Sequence, residues 1–148
     1  MKKWLLVLLT SFLLLLAGCS MLNDAKNTLT YINEATEYLD KATAFANDAP
    51  ALAQQAVGNQ QAAKKLETML EQMKQEIQSF NQLQAPDIAV DLHQQIVDRN
   101  NKLIDGINLY LNNFKNGLLD PSVLTNTELF QTVQDITSII NQIKQLGQ

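Results

Sequence analysis

The sequence predicts an all-α protein that folds as an antiparallel up-and-down four-helix bundle with heptad-like packing. Three observations lead to this fold class. Apolar residues recur at intervals of three and four along most of the chain, which is the spacing of one face of an α-helix. The prolines divide that pattern into segments of helical length joined by mostly short connections, which favour antiparallel neighbours. No stretch alternates apolar and polar residues in the way a half-buried strand does.

The first 18 residues have the organisation of a secretory signal peptide. Lys2 and Lys3 precede an uncharged, leucine-rich run over residues 4–16, and two small residues, Ala17 and Gly18, end the segment. A basic start, a short apolar core and a small-residue exit are typical of such signals. The apolar run is shorter than the roughly 20 residues that a membrane-spanning helix needs. We therefore expect residues 1–18 to be removed from the mature protein.

The only cysteine, Cys19, comes directly after this segment. The tetrapeptide Leu16-Ala17-Gly18-Cys19 resembles the lipobox of bacterial lipoproteins. The resemblance implies cleavage between Gly18 and Cys19, a diacylglyceryl group on the Cys19 thiol with fatty chains such as palmitate, and anchoring on the outer face of the bacterial cell membrane. The whole chain also resembles the small helical lipoproteins of unknown function found in Bacillus-type bacteria. An ordinary cleaved signal, and an uncleaved hydrophobic anchor with a chance cysteine, are the alternatives.

The mature chain is expected to be one acidic domain. Residues 19–22 would form a short lipidated tether, and residues 23–148 a single helical bundle domain. Loss of the two lysines of the signal changes the formal net charge from −4 to −6. An acidic surface argues against nucleic acid as a partner, because that binding requires clustered basic side chains. Attachment to the membrane is therefore assigned to the lipid, since two acyl chains anchor a protein firmly.

The first helix is predicted from Asn23 or Asp24 to Asn47, with a wide apolar face. Pro50 is predicted to separate it from the second helix, because proline disfavours helix in the residue before it, Ala49, and suits a first helical turn.

The second helix is predicted from Pro50 to Leu83. Its apolar residues step by four and three from Leu52 to Phe80, a period of about 3.5 that predicts left-handed bundle packing. Asn59 falls within this stripe, where a polar side chain can fix the register of a bundle.

The third helix is predicted from Pro86 or Asp87 to Asn116, with Gly117 as its C-terminal cap and Pro121 preventing its continuation. The fourth helix is predicted to begin at a capping box, Thr125-Asn126-Thr127-Glu128, in which the threonine hydroxyl and the glutamate carboxylate accept hydrogen bonds from free backbone amides. Its apolar stripe, the most regular of the chain, consists of Leu129, Val133, Ile136, Ile140 and Ile143.

The loop before the fourth helix carries apolar residues that are candidates for contact with a protein partner, and the alternative is that they close the end of the core. They are Leu118, Leu119, Val123 and Leu124. The four-residue tether spans at most about 14 Å, so the bundle is expected to stand close to the bilayer. The turn at 84–86 and the C-terminus would then lie at the membrane end, and the turns at 48–50 and 117–124 at the far end.

No catalytic, cofactor or metal motif is predicted. His93 is the only histidine, Asp91 nearby lies on another helical face, and an interfacial or surface position is expected for the imidazole. Asn100 is expected to fix the register of the bundle, with ligand binding as the alternative. The aromatic residues of the first helix are expected to be core residues that do not line a groove: Tyr31, Tyr38 and Phe45.

The function expected from these observations is that of a non-enzymatic protein-interaction or scaffold module at the cell envelope, with no cofactor. A helical binding protein for a small apolar or peptide ligand is the alternative, and a membrane-active bundle is a further one.

Overall fold

The computed structural model describes residues 18–126 and 128–146, with side chains from residue 25 onward. The all-α class is confirmed, with the addition of a two-stranded hairpin. The helices are α1 (Gly18–Ala56), α2 (Gln60–Asn81), α3 (Val90–Leu111) and α4 (Glu128–Gln145), and the strands are β1 (Phe114–Lys115) and β2 (Leu118–Leu119). Two short 3-10 helices, Asp87–Ala89 and Pro121–Thr125, precede α3 and α4.

Helix α1 is longer at both ends than the sequence predicts. It begins at Gly18, so the backbone of the expected tether is helical, and it continues through Pro50 to Ala56. The prediction that Pro50 separates two helices is therefore wrong. The turns after Pro50 carry Ala53 and Ala56, which are buried in the core. This burial holds the helix together across a residue that removes one backbone hydrogen bond.

The first break falls at Gly58 and Asn59 instead, and Asn59 is not part of an apolar stripe. It is exposed and caps α2: its Oδ1 accepts hydrogen bonds from the backbone amides of Gln61 at 2.9 Å and Ala62 at 3.1 Å. The predicted register role of Asn59 is therefore wrong. An asparagine oxygen satisfies the free amides of a helix start, and this local bond outweighs the position of Asn59 in the heptad pattern.

Helices α1 and α2 run in opposite directions along each other. Lys41 Nζ lies 2.8 Å from Glu76 Oε2, and the Tyr38 and Phe80 rings stack with centroids 4.5 Å apart. A step back along α1 thus corresponds to a step forward along α2. The apolar stripe predicted for the second helix is confirmed from Ala63 to Phe80, where it forms the buried face of α2.

Helices α1 and α3 run in the same direction. Tyr31 contacts His93, Tyr38 contacts Asn100, and both pairs are separated by 62 residues in the chain. The buried face of α3 is Ile96, Asn100, Leu103, Ile107 and Tyr110. The sequence predicts a main stripe of six residues, of which the structure buries Ile107 and leaves the others half-buried: Val97, Ile104, Ile107, Leu111, Phe114 and Leu118.

Helix α4 runs antiparallel to α3. Arg99 of α3 forms an ion pair with Asp135 at 3.6 Å, and a Cβ added to Gly106 would lie 3.0 Å from the side chain of Leu129. The predicted stripe of α4 is buried along its whole length. Helix α4 also packs against α1, where the ring centroid of Phe130 lies 6.3 Å from that of Phe45.

The segment after α3 forms a hairpin, which the sequence prediction missed. Helix α3 ends at Leu111, and Asn116 and Gly117, with φ values of 53° and 76°, form the turn between β1 and β2. Positive φ at both central residues is what a type I′ hairpin turn requires, and Asn-Gly is the strongest sequence signal for that turn. Gly117 is therefore a turn residue and not a helix cap.

The predicted capping box is also wrong for the three of its residues that the structure describes. The Thr125 hydroxyl donates to the carbonyl oxygen of Ser122 at 3.0 Å, within the 3-10 helix, and the backbone amide of Glu128 donates to Asn126 Oδ1 at 3.2 Å. Thr127, the remaining member of the box, lies outside the described residues.

The two ends of the helices carry different connections. Gln60 Nε2 at the start of α2 donates to the carbonyl oxygen of Asn116 at 3.4 Å, so the α1–α2 turn and the hairpin share one end. Tyr31, the first buried residue among the described side chains of α1, lies at the other end, where the 82–89 connection is also found. Within residues 18–126 and 128–146, no helix is long and apolar enough to cross a membrane.

Candidate functional site

Polar and aromatic side chains from three helices meet near the end of the fold where α1 begins. We call them the aromatic–amide cluster: Tyr31 and Tyr38 of α1, Phe80 and Asn81 of α2, and His93 and Asn100 of α3. The heptad spacing of α1 and α3 places Tyr31 and Tyr38 opposite His93 and Asn100, one pair per two turns.

His93 lies at the outer edge of this cluster. Its Nδ1 and the Tyr31 hydroxyl are joined by a hydrogen bond of 2.9 Å, and the two rings meet edge to face at 5.7 Å. The Phe80 ring lies 5.1 Å from the imidazole. Burial among these rings lowers the pKa of His93 and raises the pKa of Tyr31, because desolvation disfavours both charged forms.

Asn100 lies at the centre of the cluster and is fully buried. The Tyr38 hydroxyl donates to its Oδ1, and its Nδ2 donates to Asn81 Oδ1 at 2.7 Å. Among the described residues, no buried side-chain nitrogen or oxygen lacks a hydrogen-bond partner. The bonds of Asn100 fix α1, α2 and α3 in one register, as the sequence predicts, and they leave its amide turned toward protein and not toward a ligand.

An open cleft of about 760 Å³ lies beside the cluster. Its walls are the first turns of α1, from Asn27 to Glu34, and the connection from Gln82 to Ile88. The walls combine amide and hydroxyl groups with the Glu34 and Asp87 carboxylates and a few small apolar side chains. The cleft suits a polar or amphipathic molecule better than a purely apolar one.

The structure places the other predicted residues as follows. Phe45, like Tyr31 and Tyr38, is a core side chain. Of the apolar loop residues, Leu119 and Val123 are buried, and Leu118 and Leu124 are half-buried. This burial favours the alternative that the loop closes the end of the core, and a partner contact there stays a prediction. Gly18 begins α1, and the side chain of Cys19 lies outside the described residues.

Metal binding finds no support at His93. Among the described residues, no group of three histidine, cysteine, aspartate or glutamate side chains is arranged to hold a metal ion. The imidazole has instead the interfacial position that the sequence suggests, between α1 and α3.

The sequence prediction did not identify Phe80 and Asn81 as partners in the cluster. Phe80 was visible as the last apolar residue of its stripe, and Asn81 follows it directly at the end of α2. Neither residue carries a local signal that points to Tyr38 or Asn100, because the contacts join positions that are far apart in the chain.

The architecture and the N-terminal sequence together define a class: a small all-helical protein whose N-terminus carries a lipobox-like tetrapeptide. The chain belongs to a family of unknown function, DUF6376, which it matches over residues 31–146. The match begins at Tyr31, a buried residue of α1. The chain is also 35% identical over 148 residues to the uncharacterized lipoprotein YybP of Bacillus subtilis (strain 168), with 100% of both chains covered. No solved structure matches it.

Proposed function

We propose that this protein is a lipid-anchored extracytoplasmic lipoprotein, held by a diacylglyceryl group on Cys19 to the outer face of the bacterial cell membrane. The observation that carries the proposal is the full-length similarity to a lipoprotein, combined with Leu16-Ala17-Gly18-Cys19 at the end of a signal-like segment. The first 18 residues are removed as the signal, and the acyl chains supply the attachment.

Replacement of the lipidation site tests the anchor. Cells that express Cys19→Ala are expected to incorporate no labelled palmitate into the protein and to accumulate the precursor, because the thiol that takes the lipid is gone. Ser20→Ala is the matched control and should be labelled and processed like the wild type. Labelling of the Cys19→Ala protein would show that the anchor is elsewhere.

We propose further that the four helices form an antiparallel up-and-down bundle that acts through protein contacts, as a scaffold at the envelope and without catalysis. Two features support this role. The antiparallel pairing of α1 with α2 and of α3 with α4 is the arrangement of such bundles. The buried polar groups of the aromatic–amide cluster are hydrogen-bonded to one another and join three helices.

Crosslinking in intact cells tests the scaffold role. The wild-type protein is expected to give a discrete covalent adduct with another envelope protein. A wild-type protein that gives no adduct under conditions that crosslink other envelope proteins would contradict the role.

A second candidate function is the binding of a small ligand, and the cleft beside the cluster favours it. Native mass spectrometry of the purified protein would then show a co-purified molecule. Ala85→Trp, which fills the cleft, should remove that molecule, whereas Ala44→Trp on an exposed position outside the cleft should retain it. A wild-type spectrum with bare protein alone would contradict this candidate.

A further inference from the structure

The exposed apolar side chains are concentrated at one end of the molecule. Among the described residues, the large apolar side chains with substantial exposure are Leu29 at 56%, Ile88 at 58%, Val90 at 48%, Leu109 at 38% and Leu146 at 38%. The first two numbers matter most, because a leucine or isoleucine more than half exposed gains less than half of the stabilisation that full burial would give. All but Leu109 lie at the end where α1 begins, as the helix register shows.

The register places Leu29 and Val90 at the same height along the helix axes. Tyr31 lies opposite His93, and α1 and α3 run in the same direction. Leu29 is two residues before Tyr31, and Val90 is three residues before His93, so the two side chains differ in height by one residue, or about 1.5 Å.

The register of α3 and α4 places Ile88 and Leu146 together in the same way. Arg99 lies opposite Asp135, and these two helices run in opposite directions. Ile88 is eleven residues before Arg99, and Leu146 is eleven residues after Asp135, so both fall at one height. The four side chains form what we call the apolar rim, made of Leu29, Ile88, Val90 and Leu146.

The apolar rim lies next to the N-terminal attachment point. The backbone of α1 is helical from Gly18, and the side chains of residues 25–30 are exposed or half-buried. Cys19 precedes Leu29 by ten residues, which corresponds to about 15 Å along a helix. A tilt of α1 brings the rim closer to the plane in which a lipid on Cys19 is held.

We propose that the apolar rim is a membrane-docking surface, and that its occupant is the headgroup layer of the bilayer that holds the lipid on Cys19. The proposal rests on the lipid anchor argued above. Two acyl chains already supply the attachment, so the rim sets the orientation of the bundle and not its retention. Apolar side chains that lie within a few ångströms of one height can enter the interface together, whereas scattered ones cannot.

The charges around the rim indicate which bilayer it suits. Asp87 and Asp91 flank Ile88 and Val90 in sequence, while Lys26 and Lys144 lie near Leu29 and Leu146. This mixed set gives no electrostatic attraction to an anionic surface, which requires clustered basic residues. The rim is therefore expected to dock on uncharged or zwitterionic lipid as well as on anionic lipid.

Depth-dependent quenching on the lipidated full chain tests the proposal. The acylated Cys19 carries no free thiol, so Leu29→Cys or Val90→Cys introduces a single position for a fluorescent probe. Leu109→Cys is the matched control, since it is an exposed leucine on α3 far from the rim. Each protein is reconstituted in phosphatidylcholine vesicles, and the probe is quenched by headgroup-labelled spin lipid or by aqueous iodide.

Probes at 29 and 90 are expected to be quenched several-fold more by the spin lipid than the probe at 109, and less by iodide. Equal quenching at the three positions, in protein whose mass shows the lipid, would overturn the rim and leave the anchor intact. Protein that carries no lipid on Cys19 would overturn both proposals. Protection that rises with the ratio of protein to lipid would mean that a second copy covers the rim, and would also overturn it.

Discussion

At the scale of single residues, the feature that most specifies this fold is one buried amide. Asn100 is fully buried and binds Tyr38 and Asn81, which ties three helices to one register. Its burial could be predicted from its place between apolar residues of α3. Its partners could not, because a hydrogen bond over 62 residues leaves no local trace in the sequence. The proposed role of Cys19, in contrast, could be predicted from four consecutive residues of the sequence.

Removal of the Tyr38 hydroxyl tests this amide. Tyr38→Phe leaves Asn100 Oδ1 buried without a donor, and we expect a loss of about 1–3 kcal/mol in the free energy of unfolding. The double variant Tyr38→Phe with Asn100→Leu should recover part of that loss, because the acceptor that it leaves unpaired, Asn81 Oδ1, belongs to a half-buried and not to a fully buried side chain. Urea unfolding measures both. Tyr110→Phe, which removes a 3.3 Å bond to the carbonyl oxygen of Asn126, is the control and should cost less. Equal losses in Tyr38→Phe and Tyr110→Phe would contradict the role of the network.

His93 should make stability depend on pH. Burial lowers its pKa below the ordinary value of 6.5, so the unfolded chain binds a proton more readily than the folded one. Stability is therefore full above about pH 6.5, falls as the pH drops below that value, and levels off below the folded-state pKa. Thermal unfolding between pH 7.5 and 5 should show a falling Tm for the wild type. His93→Gln should flatten the curve over this interval, and an unchanged slope in that variant would assign the effect to another group.

At the scale of elements, the apolar stripes of α2 and α4 were predicted well, whereas the main stripe of α3 and the local breaks were not. The buried faces of α2 and α4 follow from their apolar spacing, because many side chains contribute to each pattern. The prediction of a helix break at Pro50 was wrong, because buried alanines on both sides of this residue hold α1 together. The hairpin at Asn116 and Gly117 was missed although the dipeptide was visible, because the strands are only two residues long.

Helix α1 should become more stable without its internal proline. Pro50→Ala restores a backbone amide and removes the ring from the helix interior, where proline costs about 3 kcal/mol relative to alanine. We expect a gain of about 1–3 kcal/mol in urea unfolding, since part of that cost has been relieved by local adjustment. Pro86→Ala, in the extended residue before a 3-10 helix, is the control and should give no such gain. A loss of stability in Pro50→Ala would mean that α1 depends on a bend there.

The hairpin should depend on the glycine of its turn. Gly117→Ala places a side chain at φ 76°, and we expect a loss of about 1–2 kcal/mol. Gly58→Ala is the matched control: no atom lies within 4 Å of the added Cβ and the residue has no positive φ, so its effect should be small or stabilising. Thermal unfolding compares the two. Equal effects would show that the turn geometry is not what Gly117 contributes.

At the scale of the whole molecule, the helices, the attachment point and the apolar rim form one arrangement. One end carries the start of α1, the aromatic–amide cluster and most of the large exposed apolar side chains of the described residues, while the hairpin and the α1–α2 turn lie at the other end. The sequence predicted which connections share an end, apart from the position of the first turn. It did not predict the rim, because the rim appears only when the register of all the helices is known.

The most direct test of this arrangement is the intact mass of the protein purified from the membrane of cells that express the full chain. We predict that residues 1–18 are absent and that the chain beginning at Cys19 carries the added mass of a diacylglyceryl group. A polypeptide that still contains residues 1–18, or one that begins at Cys19 with no added fatty chain, would contradict the proposed anchor and the orientation of the bundle derived from it.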